Sequence, residues 1–406
     1  MINYTIDTLM SRLGCERFPE RWREIYDDAK SILENDENPL LHPEYYDELH
    51  EKYLVLENTL EYYKRAAAGI AESEELSLFF CLLCRALKDR ATIQRDIAQM
   101  QIPPVPEGED SLPYNMLTGL AMCQAIPTFY EHMRKIGLPD DIIYPSLRLP
   151  EDSVASYIRR NGGKAGFANF DWYQLYYDAR LYRFDGLTME FPATFPGIAT
   201  VYQGRNGEIV SLATNVRCHR DGFPLGSKYY EDEEGSFTAV TETTSDAYVG
   251  HPYDQHGRIS RDRIALKKDE WSLLFSGGDK MISIHIPTGA KFTPEAIDAS
   301  IERTKAILRE HFPKYDYKIF FCGSWMLDPQ IPRLLGEEKN VPKFCRRFHP
   351  LCVKDAGRAV FTFVFQKPNS DFEVSELPEN TSLERALKNH YLSGKAIYET
   401  FGFFLP

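Results

Sequence analysis

At 406 residues the chain is too long for one average domain and predicts two. Its 43% hydrophobic and 13% aromatic content supplies sizeable cores, while a net charge of −13, from 60 acidic and 47 basic side chains, argues against a nucleic-acid groove as the main function. No basic and apolar leader opens the chain, the longest apolar run (Leu78 to Cys84) is far below a membrane span, and eight irregularly spaced cysteines predict reduced thiols, so the expectation is a soluble cytoplasmic protein with no membrane partner.

From Thr5 to about Arg160 the signals are helical. Apolar residues recur at helical spacing in Glu20–Glu34, Tyr45–Ala71, Leu76–Ala98 and Met116–Ile136, with Pro127 predicted to kink or split the last. Ile102 to Asp110, with three prolines, reads as a loop, and Glu151 to Arg160 as a helix ended by Gly162 and Gly163. Asp171 to Tyr182 reads as helix and Phe184 to Phe191 as strand. The turn-rich stretch around 204–269 reads as an insert. At its start, Ala199–Gln203 and Glu208–Leu212 flank an Asn-Gly hairpin signal, and the acidic run Glu231 to Glu234 and the polar run Gly250 to Arg263 predict exposed loops.

The most informative segment follows. Lys280 to Pro287 alternates as a half-buried strand should, turns through Thr288, Gly289, Ala290 and Lys291, and enters a helix at Thr293-Pro294-Glu295. Thr293 suits the N-cap, Pro294 the first helical position, and Glu295 the positive helix end. Ile297, Ile301, Thr304 and Leu308 form one stripe facing a sheet, and Tyr317 to Cys322 returns as a second strand. Backbone N–H groups at such a helix start suit a phosphate or pyrophosphate. Lys343–Phe348 and Ala359–Phe365 read as closing strands, and the capping box Thr381-Ser382-Leu383-Glu384 opens a helix ended near Gly394.

From Asp171 onward this order is helix, three strands, helix, strand, short helix and two strands, which resembles the GCN5-related N-acetyltransferase (GNAT) fold. Ile284-His285-Ile286-Pro287 with its Thr-Pro-Glu helix entry, Cys322 to Gln330, Arg180 to Arg183 and the tail Leu377 to Leu387 resemble a bacterial family of acyltransferase-domain proteins. The resemblance implies an α+β chain: a helical N-acyltransferase domain over 1–165, then a GNAT-like domain over 166–406 with a mixed, mostly antiparallel sheet. It also implies an acyl-CoA-dependent N-acyltransferase moving an acetyl or other short acyl group from coenzyme A to the amine of a small molecule, with no metal. The implied cofactor cradle is Ile286, Thr288, Gly289, Ala290, Lys291 and Thr293. Here the sequence departs from the fold's usual glycine run, since Gly289 is its only glycine and Pro287 removes a donor. That departure keeps a second reading open, a non-catalytic acyl-CoA or small-molecule binding module. An interaction scaffold is the third.

Amine acylation needs a proton acceptor, a polarised thioester carbonyl and a proton for the leaving thiolate. His285, at a strand end, is the candidate base, or else a satisfied strand histidine. Ser324 is the candidate donor to the thiol sulfur, or a capping serine. Asp328 before Pro329 is a proton acceptor or an N-cap, and Trp325 is a substrate contact or core. Arg180 and Arg183 either clamp an anionic substrate or form salt bridges that fix the junction. Cys81 and Cys84 read as core cysteines inside an apolar helix, and Cys218, His219, His251 and His256 fit no standard metal spacing. Tyr173, Tyr176, Tyr177 and Tyr182 either line a pocket or dock the helix on a sheet.

Overall fold

The computed structural model describes residues 2–167, 170–226, 233–355, 357–367 and 372–406. The chain forms two compact units, Met1–Arg183 and Phe184–Pro406.

The first unit is helical: α1 (Ile6–Arg12), α2 (Tyr26–Glu34), α3 (Pro43–Tyr53), α4 (Leu60–Ala71), α5 (Glu74–Leu87), α6 (Ile93–Gln99), α7 (Leu112–Cys123), α8 (Ala125–Lys135), α9 (Asp140–Leu147), α10 (Leu149–Arg160) and α11 (Tyr173–Tyr177). Three long helical stretches of the sequence are each two helices. Between α3 and α4, Leu54 and Leu56 adopt left-handed backbone (φ 53° and 64°), and Val55 and Leu56 are fully buried. Burying that pair takes the chain off the helical path. Between α7 and α8 the break falls at Gln124, which puts Pro127 in the first turn of α8, where its missing N–H leaves no hydrogen bond unmade. Ser73 caps α5 through its Oγ, and the helix is buried nearly all round, Cys81 and Cys84 included.

The stretch from Asp171 to Tyr182 corrects the helical expectation. α11 stops at Tyr177, Ala179 turns left-handed at φ 55°, and Leu181 already opens β1 (Leu181–Phe184), which carries the chain across the boundary. The boundary itself lies after Arg183 and not near 165, because the intervening residues pack into the helical unit. Phe167 lies where a Cβ on Gly119 would stand, and Tyr176 donates to the Leu147 carbonyl at 2.9 Å. Tyr173 and Tyr176 are fully buried there, with the Phe129 and Tyr176 rings edge to face at 5.0 Å.

The second unit is built on strands β2 (Leu187–Thr194), β3 (Ala199–Gly204), β4 (Ile209–Ala213), β5 (Val216–Cys218), β6 (Phe237–Ala239), β7 (Thr241–Thr243), β8 (Ala247–Gly250), β9 (Ile264–Lys267), β10 (Trp271–Phe275), β11 (Lys280–His285), β12 (Ile319–Ser324), β13 (His349–Asp355) and β14 (Glu399–Phe404). Its helices are α12 (Pro294–His311), α13 (Ile331–Leu335), α14 (Asn340–Cys345), α15 (Arg358–Phe363) and α16 (Ser382–Leu392). The main sheet runs β2-β11-β12-β14-β13. Only β11 and β12 are parallel, so the sheet is mixed and mostly antiparallel, and the fold is α+β. One face packs Met281, Ile319, Phe321 and Phe403 against Val201 and Phe275 of the β10-β3-β4 sheet. α12 supplies a buried stripe of Ile297, Ile301, Thr304, Ile307 and Leu308. The expected Asn-Gly hairpin joins β3 and β4, with Gln203 opposite Ile209, and the rest of the insert forms small sheets of β5-β6 and β7-β8-β9. Of the acidic run, Glu231 and Asp232 lie outside the described residues, while Glu233 pairs with Arg217 at 2.8 Å.

Lys343–Phe348 and Ala359–Phe365 are not strands. They hold α14 and α15, and the closing strands of the sheet are β13 and β14. Val360 and Phe365 of the second segment are drawn into a buried cluster with Trp325, Ile331, Leu387 and Ile397, a tertiary demand that outweighs their β-propensity. α16 carries the full capping box between Thr381 and Glu384, worth about 1 kcal/mol, and Gly394 follows it at φ 76°. Among the described residues no helix is long and apolar enough to cross a membrane.

Candidate active site

β11 and β12 are laddered only through Met281–Ile319, Ile282–Phe320 and Ser283–Phe321. Both strands continue, β11 to His285 against β2 and β12 to Ser324 against β14, without pairing to each other. The two parallel strands therefore part at their C-terminal ends, and the last two residues of β11 and last three of β12 flank the opening. Ligands of open sheets gather at such strand ends.

His285 sits beside this parting, half-buried. Its Nε2 is 3.0 Å from Oε2 of Glu190 on the neighbouring β2 strand. Ser283 pairs with Glu190 and His285 with Thr188, so these four polar side chains share one face of the sheet. When Nε2 carries the proton, the Glu190 carboxylate accepts it and orients the ring. Glu190 was absent from the sequence-based site. Its signal is the one charged residue in the strand-forming run Leu187 to Phe191.

The turn after β11 closes with Ala290 N–H donating to the Pro287 carbonyl at 3.2 Å, with Gly289 at φ 82°. Thr293 caps α12 by accepting from Ala296 N–H at 3.3 Å, and Pro294 occupies the first turn. The expected strand, turn and capped helix are all present, with Ile286, Thr288 and Lys291 on the connection. Two of the amides near the helix start are already used locally.

At the end of β12, Ser324 Oγ accepts from Met326 N–H at 3.2 Å, the capping arrangement, which leaves its O–H to donate. Trp325 is buried in the core cluster. Asp328 is buried too, but as the acceptor for Gln330 N–H (2.8 Å), Gln330 Nε2 (3.1 Å) and Tyr398 N–H (2.7 Å). Burial pushes its carboxyl above the usual range, while those hydrogen bonds pull it down. Arg183 pairs with Asp152 at 2.7 Å and its N–H donates to Ser146 Oγ, so it fixes the end of the helical unit. The Arg180 N–H donates to the Leu175 carbonyl in the same unit. The structure thus gathers His285, the 286–293 turn and Ser324 at one end of the sheet. Cys218, His219, His251 and His256 make no metal cluster, and among the described residues no three His, Cys, Asp or Glu side chains are placed to hold an ion.

Residues 220–404 match the GNAT-like C-terminal domain family. Solved acyltransferases share the fold over nearly all of the chain. An acyltransferase in complex with decanoyl-CoA and teicoplanin is 19% identical, with a TM-score of 0.60 over 99% of this chain and 100% of that one. An acyltransferase in complex with CoA and 10C-teicoplanin is 20% identical, at 0.61 over 99% and 100%. An acyltransferase mutant in complex with octanoyl-CoA is 18% identical, at 0.59 over 98% and 99%. No curated protein sequence matches the chain. The GNAT-like domain includes β11, β12 and the parting between them, along with most of the insert.

Proposed function

We propose that the chain is an acyl-CoA-dependent N-acyltransferase acting on the amine of a small molecule. The observation that carries this reading is the parting of β11 and β12 beside the His285–Glu190 pair. A thioester arm inserted there meets strand backbone on both sides that no longer bonds across the gap. His285 Nδ1 takes the proton from the incoming ammonium or the attacking amine, with Glu190 holding the ring. The amine nitrogen bonds to the thioester carbon, the carbon–sulfur bond breaks, and the sulfur keeps the electron pair and takes the Ser324 Oγ proton, which the His285 imidazolium replaces through solvent. The products are an amide and free coenzyme A. Binding and orientation contribute most of the rate in such a direct transfer. The solved acyltransferases of this fold hold octanoyl-CoA and decanoyl-CoA, so medium-chain thioesters join acetyl-CoA as candidate donors. They also hold teicoplanin, which supports a small-molecule acceptor.

The rival reading, a binding module without turnover, is favoured by one feature. Ala290 and Ala296 N–H groups are spent on the turn and the cap, and the turn has a single glycine. Calorimetric titration with coenzyme A and a thiol-release assay with acetyl-, octanoyl- and decanoyl-CoA against an amine panel separate the two. Binding with thiol release supports the transferase. Binding without thiol release leaves the module, and absence of binding at about millimolar ligand overturns both.

A further inference from the structure

The second unit holds a cleft of 690 Å³ away from the 286–293 turn, on the β14 side of β12. Its size suits a drug-sized ligand. One wall is the Phe223–Tyr398 ring pair, stacked at 5.5 Å, with the Arg258 guanidinium 5.1 Å above Phe223. Arg258, Arg333 and Lys395 are exposed around the cleft, and His256 and His390 add half-buried imidazoles. Among the described residues Asp328 is the single carboxylate in this lining, and three donors already hold it. Thr400, also in the wall, is fully buried and its Oγ1 has no hydrogen-bond partner. Among its described residues, a chain with a net charge of −13 has thus gathered three cations around one concave, ring-lined site.

We propose that this cleft binds the acceptor, and that the acceptor carries an anionic group beside an aromatic or other flat apolar moiety. The guanidinium and ammonium groups receive the carboxylate or phosphate, and the Phe223–Tyr398 stack receives the flat part. The cleft abuts the Ser324–Thr400 pair that joins β12 to β14, so an acceptor seated in it lies across β12 from the turn that follows β11. Calling the occupant an acceptor rests on the transferase reading; the anion site itself rests only on the cleft. The anion has one rival source, the phosphates of coenzyme A.

The test is calorimetric titration of the full chain with N-acetyl-phenylalanine and with its carboxamide, in wild type and in the double variant Arg333→Gln/Lys395→Gln, with coenzyme A titrated in parallel. Both substituted side chains are exposed, and a thermal melt checks that the variant folds. The expected result is that the acid binds at least about tenfold more tightly than the amide at low salt, that the double variant erases this preference, and that coenzyme A affinity is unchanged. Equal binding of acid and amide, no binding of either, or a preference that survives the double substitution overturns the proposal. So does a double variant that loses coenzyme A affinity in step with the acid, since the cleft's anion then belongs to the donor. If the transferase reading alone is wrong, coenzyme A fails to bind or turn over while the acid preference and its loss in the variant remain.

Discussion

His285 Nε2 lies 3.0 Å from Glu190 Oε2 across two neighbouring strands, a half-buried imidazole held by a carboxylate on the same sheet face. In the proposed transfer that geometry makes His285 the base and Glu190 the residue that orients it. His285→Ala is expected to lower kcat by about 10²- to 10⁴-fold in the thiol-release assay, with the thermal melt unchanged. Glu190→Gln keeps a hydrogen-bonding group but not the charge, and is expected to cost about 10- to 100-fold, in kcat more than in KM. If both variants turn over like wild type, the pair is structural.

Asp328 is a stability residue by the same kind of reasoning. Removing the carboxylate strands the backbone N–H groups of Gln330 and Tyr398, while the Gln330 side-chain amide keeps its bond to the Ala396 carbonyl, so Asp328→Ala is expected to cost about 3 kcal/mol in urea unfolding. Burial raises its carboxyl above the ordinary value of 3.8, so the folded state holds the proton to a higher pH than the unfolded chain does. Between those two values the folded state binds more protons. This residue's contribution is therefore full below the ordinary value, falls as pH rises through the window, and levels off above the raised value. Asp328→Asn removes the titration, so wild type is expected to gain on it in urea unfolding as the pH is lowered from neutral toward 4. A stability difference that stays flat over that range refutes the assignment.

The thiols are expected to be silent. All eight cysteines are buried or half-buried. Burial pushes Cys15, Cys81, Cys218 and Cys352 up to about 11 and Cys322 and Cys345 up to about 12, and raises Cys84 and Cys123 as well. At mildly alkaline pH, Ellman's reagent should titrate essentially none of them in the native protein and all eight after unfolding. Fast reaction of one native thiol would mark it as functional.

How far the fold could be read from residues depended on whether the signal was local. The Asn-Gly turn, the Thr293 cap with Pro294 behind it, and the Thr381 capping box each satisfy their own backbone groups, and each appears as expected. Phe361, Phe363 and Phe365 alternate as a strand would, while the segment forms α15 and a following turn that answer a distant cluster around Trp325 and Leu387. β14, with two glycine-flanking aromatics near the chain end, gains its identity only from β12 and β13 on either side. The site followed the same division. His285 and the turn after it were visible in one segment, but Glu190 lies 95 residues away in sequence, and only the β2–β11 register brings it to the imidazole.

The parting of β11 and β12 supplies the sharpest test of the donor slot. Had their ladder continued past Ser283–Phe321, the next partners on that face would be His285 and Gly323. Gly323 is exposed on β12, and a Cβ there would fall 2.7 Å from the edge of the Phe401 ring, a side chain that is only partly buried and can shift. Gly323→Val therefore adds a branched side chain on the strand end beside the opening while the backbone stays paired through Phe401. If the opening receives the thioester arm, this variant should bind coenzyme A at least about tenfold more weakly by calorimetry, while costing only about 1–3 kcal/mol in unfolding from local crowding. Gly323→Ala should fall between wild type and Val in affinity. Unchanged affinity in both variants would move the donor elsewhere, whatever role His285 proves to have.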